Sequence, residues 1–279
     1  MIIEHVINNN IVSSLDGDNE VVVSGRGIGF GRRPGDPVDD SRIEKIYRMD
    51  TKEQMGKFKD ILASVPPECL KICDEIIADA TKELNVELNR NIYVTLTDHV
   101  NFALERYDQG MDFENILTEE VSNYYPNEFR IGLKAVELIK RETGKDLRRD
   151  EAASIALHIV STELNTKMSV AYGLTQMVKQ IQTILERDID MSNEETRRGF
   201  EEMVPSFKHF AYRVIADQQY QSEDDHLYEF IRDHYPRQYE CCTQIEKYVN
   251  DMFGKTVSNE EKNYMVMKFR RLDFKNKSS

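Results

Sequence analysis

Of the six histidines in this chain of 279 residues, two lie in apolar helical runs. His99 sits in Thr97-Asp98-His99-Val100-Asn101-Phe102, and His158 in Ile155-Ala156-Leu157-His158-Ile159-Val160. An imidazole so placed can ligate a metal, act as a general acid or base, accept a phosphoryl group, or simply hydrogen-bond inside a helical core. For either residue alone the last is the commonest outcome. Metal ligation is disfavoured, because no HxxxH, HExxH or carboxylate cluster surrounds either one. Acid–base catalysis needs a pocket with a nucleophile or oxyanion donors, and nothing in the sequence marks one.

The second chemically suggestive segment is the loop Gly25-Arg26-Gly27-Ile28-Gly29-Phe30-Gly31-Arg32-Arg33-Pro34-Gly35. It superficially satisfies a Gly-rich dinucleotide pattern, but that pattern informs only between a strand and a helix, and here Pro34 and the arginines replace the helix. The segment holds three arginines and no acid, a local charge of +3. With Phe30 free to stack and backbone amides opened by closely spaced glycines, it suits an RNA minor groove or an unpaired base. A hairpin loop whose glycines serve turns and whose arginines are solvated fits the composition equally well.

The elements that must position these groups fall into two kinds. IIEHVI, IVSS and VVVS are short β-branched runs separated by Asn8-Asn9-Asn10 and by Asp16-Gly17-Asp18-Asn19, the pattern of a small antiparallel sheet. From about Lys57 the period becomes helical. Pro66-Pro67 stands at a helix start, followed by an apolar face of Leu70, Cys73, Ile77, Ala80 and Leu84. Ile92, Leu96, Val100, Ala103 and Tyr107 mark another face before Gly110 closes that helix. His158 belongs to a thin polar stripe with Ser154, Ser161 and Asn165.

The helical region contains a weak internal repeat. Tyr124-Tyr125-Pro126-Asn127-Glu128-Phe129 recurs as His234-Tyr235-Pro236-Arg237-Gln238-Tyr239, and the same shift lays Glu151-x3-Ile155-x-Leu157 over Glu261-x3-Met265-x-Met267. A slightly shorter shift lays Phe102-Ala103-Leu104-Glu105-Arg106 over His209-Phe210-Ala211-Tyr212-Arg213. A small β module at 1–55 and two helical copies at 57–168 and 172–276 is the expected organisation. Under these shifts His99 and His158 correspond to Ser206 and Lys268. The second copy keeps the scaffold and lacks both histidines, which favours a chemical over a packing role for them.

Composition narrows the classes further. No stretch has the roughly 18–20 uncharged apolar residues of a membrane helix, and the N-terminus MIIEHVINNN lacks a basic region followed by an apolar run. A soluble cytoplasmic protein is expected, with no cofactor. Cys69, Cys73, Cys241 and Cys242 make neither a disulfide framework nor a CxxC zinc site. The formal charge is −13, which argues against a general nucleic-acid coat, because nonspecific binding rests on neutralising many phosphates. Divided by region, −3 belongs to residues 1–55 and −10 to the rest. A nucleic-acid contact must then be local and shape-specific.

Taken together, VINNN, GRGIGF, TDHVNFALER and IALHIV resemble, over essentially the full length, the bacterial sugar-operon transcriptional antiterminators of the BglG/SacY/LicT type. The GIGFGRR segment looks nearest to the glucose-responsive members. The resemblance implies a small antiparallel β co-antiterminator RNA-binding domain followed by two all-α phosphotransferase-system (PTS) regulation domains. It implies a homodimer formed through the N-terminal sheet that binds an RNA hairpin in an operon leader and blocks terminator formation. Asn10, Gly25, Arg26, Gly27 and Phe30 match RNA-contacting positions. The family often has lysine where this chain has His5, so one phosphate contact is either lost or made pH-dependent. His99 and His158 match phosphorylated histidines of the first regulation domain, modified by the sugar-specific enzyme II. In members with a modified second domain the donor there is HPr. Ser206 and Lys268 depart from that pattern, and His209 lies three residues away, so loss of the HPr input is the expectation.

Such a protein is a regulator, not an enzyme. The rival readings are a PTS-regulated DNA-binding activator, which would need a helix-turn-helix that a β-rich first segment does not supply, and a scaffold with structural histidines.

Overall fold

The computed structural model describes residues 1–111, 113–221 and 226–275, and the chain separates into two compact units, Met1–Met168 and Ser169–Ser279. The first unit opens with a four-stranded antiparallel sheet in the order β1 (Ile3–Asn8), β2 (Ile11–Asp16), β3 (Asn19–Ser24) and β4 (Lys45–Tyr47). The first three strands are the β-branched runs expected from the sequence, joined by tight turns at Asn9-Asn10 and Gly17-Asp18. The fourth was not expected. It is three residues long with charged neighbours, and it exists because Val22 and Ser24 offer it an edge, pairing Tyr47 and Lys45.

Both faces of the sheet are covered within the chain. On one face Val12, Val21 and Val23 pack with Ile28 and Val38 of the segment between β3 and β4. On the other, Ile11, Val22 and Tyr47 pack against a helical layer. That layer begins with α1 (Lys52–Ser64), whose N-cap Thr51 accepts a hydrogen bond from the Gln54 amide. The helix therefore starts ahead of Lys57, where apolar periodicity first becomes readable. Its Met55, Phe58 and Leu62 are buried in the same cluster as Ile11 and Val22.

Five further helices complete the unit: α2 (Pro67–Leu84), α3 (Ile92–Asp108), α4 (Thr118–Tyr124), α5 (Pro126–Thr143) and α6 (Arg149–Glu163). Leu70 of α2 and Val94 of α3 reach the sheet cluster. Asp74 of α2 accepts hydrogen bonds from Lys45 Nζ at 2.7 Å and Tyr47 Oη at 2.5 Å, tying β4 to the helices. The central element is α6, buried without a break from Glu151 to Thr162. It lies so close to α5 that a Cβ on Gly132 would stand 2.1 Å from the Ala152 carbonyl oxygen.

The second unit contains α7 (Met168–Asp188), α8 (Glu194–Glu201), α9 (Val204–Ile215), α10 (His226–His234), α11 (Pro236–Phe253) and α12 (Asn259–Phe269). The repeat is visible in its caps: α5 and α11 are each 18 residues long, and each runs from a proline to a left-handed glycine, Gly144 and Gly254. The expected end of the second copy, position 276, lies outside the described residues. Among the described residues no helix is long and apolar enough to cross a membrane.

Candidate functional site

Helices α3 and α6 bring His99 and His158 together. The two imidazole centroids are 4.8 Å apart. His99 lies on the border of the apolar face of α3, one turn before Ala103, and its side chain is 14% exposed. His158 lies mid-way along the buried helix and is 8% exposed. Burial, with His99 adding to it, pushes the His158 imidazole down to about 3. At neutral pH His158 is therefore uncharged and keeps a free lone pair. Its backbone carbonyl accepts the hydroxyls of Ser161 and Thr162, each at 2.9 Å.

A buried carboxylate completes the group. Glu151, in the first turn of α6, accepts a 2.5 Å hydrogen bond from Arg106 Nη2 through Oε1. Its Oε2 stands 3.1 Å from His99 Nε2, off the line of a well-aligned hydrogen bond. The Arg106 guanidinium also rests over the rings of Phe102 and Phe113, at 4.7 and 4.3 Å. Phe113 opens a short loop whose Asn115 amide nitrogen donates to Ser154 Oγ at 3.1 Å and whose backbone is held by Asp150. The polar stripe of α6 thus divides in function: Ser154 anchors this loop, while Asn165, left-handed at φ 47°, bonds Asn89 at 2.7 Å.

The second unit repeats the scaffold with different chemistry. Arg213 of α9 and Glu261 of α12 form a bidentate pair at 2.6 and 2.7 Å, at the positions that correspond to Arg106 and Glu151. The arginine again stacks on aromatics, Tyr220 and Tyr264. Ser206 and Lys268 stand where the histidines would be, and Lys268 lies over the Tyr264 ring. With no imidazole to face, the Glu261 carboxylate gives both oxygens to its arginine.

The glycine and arginine loop is the other candidate. Asn10 is its organiser: Oδ1 accepts the Gly27 amide at 2.8 Å, and its carbonyl oxygen accepts the Gly25 amide at 3.0 Å. A Cβ at Gly25 would meet the Arg42 carbonyl oxygen at 1.8 Å, so this position closes the loop and is not an open contact surface. Arg26 is exposed, and Phe30 stands 71% exposed. Arg32 is drawn toward Asp39 at 4.0 Å. His5 is also exposed, with Nδ1 3.4 Å from Ser13 Oγ. The sequence-derived residues Asn10, Gly25, Arg26, Gly27 and Phe30 are thus neighbours, but Asn10 and Gly25 spend backbone and side-chain groups on the loop itself. Arg26 and Phe30 present the free chemistry.

Glu151 and Arg106 were not singled out as site residues from the sequence. The signal existed, because both sit inside the repeated motifs and both recur as Glu261 and Arg213. Among the described residues no group of three or more His, Cys, Asp or Glu is arranged to hold a metal ion.

Two family models match the chain: a CAT RNA binding domain over residues 1–56 and a PRD domain over residues 74–162. The chain is 37% identical to the transcription antiterminator LicT of Bacillus subtilis, over 98% of this chain and 99% of that protein. It is 35% identical to the beta-glucoside operon antiterminator of Dickeya chrysanthemi, over 98% and 96%. Identity to the protein GlcT of Staphylococcus aureus is 25% over 95% and 94%. The crystal structure of GlcT CAT-PRDI superimposes with a TM-score of 0.51 at 32% identity, covering 58% of this chain and 97% of that one. The β module, the helical region that gathers His99 and His158, and these full-length likenesses agree: the chain belongs to the family of the LicT and beta-glucoside operon antiterminators.

Proposed function

We propose that this protein is a transcriptional antiterminator that binds an RNA hairpin in the leader of a sugar-utilisation operon and is switched by phosphorylation of His99 and His158. The observation that carries the reading is the convergence of two histidines on a buried Arg106–Glu151 pair within the PRD match, behind an N-terminal RNA-binding module. The phosphoryl donors are PTS proteins, first the sugar-specific enzyme II. The protein is a substrate of phosphotransfer, a regulator and not an enzyme, and works in the cytoplasm. Its functional domains are 1–55, 57–168 and 172–276, the last a second regulation domain without acceptor histidines.

RNA contact belongs to Arg26 and Phe30, with Asn10, Gly25 and Gly27 shaping the loop that presents them. Base stacking on an exposed ring is worth about 1–3 kcal/mol, and a phosphate contact through one arginine adds salt dependence. Arg26→Ala and Phe30→Ala in the full chain should each abolish a gel shift with the leader hairpin. Unchanged affinity would move the contact elsewhere. The full chain is needed because Phe58 and Leu62 of α1 share a core with Ile11 and Val22.

A homodimer fits a two-fold RNA site. Both sheet faces are covered in this chain, so pairing through a face requires α1 or the 25–40 segment to move, whereas pairing along an edge does not. Incubation with enzyme I, HPr and phosphoenolpyruvate, with and without the permease, tests the switch. Absence of phosphohistidine at both His99 and His158 would leave a scaffold with structural histidines.

A further inference from the structure

Resting on the phosphotransfer reading, we propose that Glu151 is a positioning residue that fixes the ring of His99, so that His99 accepts its phosphoryl group on Nδ1. The His99 Nε2 atom is fully covered and its near neighbour is Glu151 Oε2 at 3.1 Å. A carboxylate accepts and cannot donate, so the proton of the neutral ring belongs on Nε2. Nδ1 is then the nitrogen with the lone pair, and it is not closed off in this way. Arg106 holds Oε1 of the same carboxylate at 2.5 Å, which keeps Glu151 in place. His158 has the opposite arrangement: there Nδ1 is the covered atom, without a hydrogen-bond partner, and Nε2 is left as the acceptor.

The step balances without another group. The Nδ1 lone pair attacks phosphorus on a donor protein that carries it on an imidazole nitrogen or a thiolate. The P–N or P–S bond breaks and its electron pair stays with the donor. The proton remains on His99 Nε2, where the positive charge that grows on the ring faces Glu151 Oε2. This is the role of a buried carboxylate behind a reactive imidazole in triads, where loss of the carboxylate leaves the wrong tautomer. The second unit lacks the arrangement, since its Glu261 gives both oxygens to Arg213.

The test reads nitrogen identity. Long-range 15N–1H NMR of the full chain, with His99 assigned by comparison with His99→Gln, should show the Nε2–H tautomer. An Nδ1–H tautomer would overturn the proposal, and this measurement needs no phosphorylation. After enzymatic phosphorylation, 31P NMR and isomer-selective antibodies should find Nδ1-phosphohistidine at His99 and Nε2-phosphohistidine at His158. Nε2-phosphohistidine at His99 would overturn it. Glu151→Gln should release the tautomer and slow transfer to His99 by about tenfold or more. Retention of both tautomer and rate in that variant would also overturn it. If PTS proteins leave His99 unmodified, the phosphotransfer reading fails, while the tautomer of the unmodified chain still decides the role of Glu151.

Discussion

Neutral His158 has a thermodynamic consequence at the scale of one residue. Its folded value of about 3 lies below the unfolded 6.5, so between those values the unfolded chain binds more protons. The stability this group contributes is present above about pH 6.5 and is lost as the pH falls toward 3. One such group gives a slope of about 1.4 kcal/mol per pH unit. Denaturant melts of the wild type and of His158→Gln between pH 7 and 5 should therefore converge as the pH falls, and parallel curves would show that His158 is protonated in the folded state. Arg106 makes a second claim at this scale. Arg106→Ala leaves Glu151 buried without its cation, and removal of one partner of such a pair costs about 3–5 kcal/mol. Thermal unfolding checks it, and a loss below about 1 kcal/mol would show that water reaches the carboxylate.

At the scale of elements, the close approach of α5 to α6 and the tie between β4 and α2 hold the first unit together. Gly132→Ala places a Cβ within 2.1 Å of the Ala152 carbonyl oxygen, so the two helices must separate. Overpacking of this kind costs about 1–3 kcal/mol. Because Glu151 and His158 ride on α6, the variant should also lose phosphorylation at His158 out of proportion to its stability, measured by phosphohistidine content at a temperature where it is folded. The tie at Asp74 is a matched pair of hydrogen bonds from Lys45 and Tyr47. Burial, then the Asp74 charge, pushes the Tyr47 hydroxyl well above its usual range, so it stays a donor. Asp74→Ala leaves both donors half-buried and should loosen β4, read as faster hydrogen exchange at the amides that pair Val22 with Tyr47.

For the whole molecule, the proposed switch works through charge and symmetry. Phosphorylation adds about −1.5 to −2 charges per histidine to a chain whose formal charge is −13. In the proposed dimer such groups would repel across the two-fold axis. Sedimentation of the phosphorylated chain should show a shift toward monomer that high salt partly reverses, with RNA affinity falling in parallel. In the same proposal the second unit limits the number of inputs. Since the repeat aligns Ser206 and Lys268 with His99 and His158, the proposed function expects that antitermination in a strain with an intact permease does not need HPr acting directly on this protein. A direct HPr requirement would place an acceptor outside His99 and His158.

Local pattern by itself determined the β-then-helical order, the helix start at Pro66-Pro67, the repeat, and the two histidines as candidates. These signals are carried by neighbours in the chain: β-branched runs, proline and glycine caps, and i, i+3, i+4 apolar spacing. It did not reveal β4, whose three residues form a strand only because β3 supplies an edge. Nor did it reveal α1 before Lys57, since Thr51 caps a turn that has no apolar period yet. Only the tertiary structure decided that both sheet faces are covered. It also decided that Asn10 and Gly25 serve the loop while Arg26 and Phe30 stand free, and that Glu151 links Arg106 to His99 across two helices. Those facts depend on which side chains meet between residues 45 apart in sequence, and a one-dimensional period carries no information about which nitrogen of a ring a distant carboxylate will face.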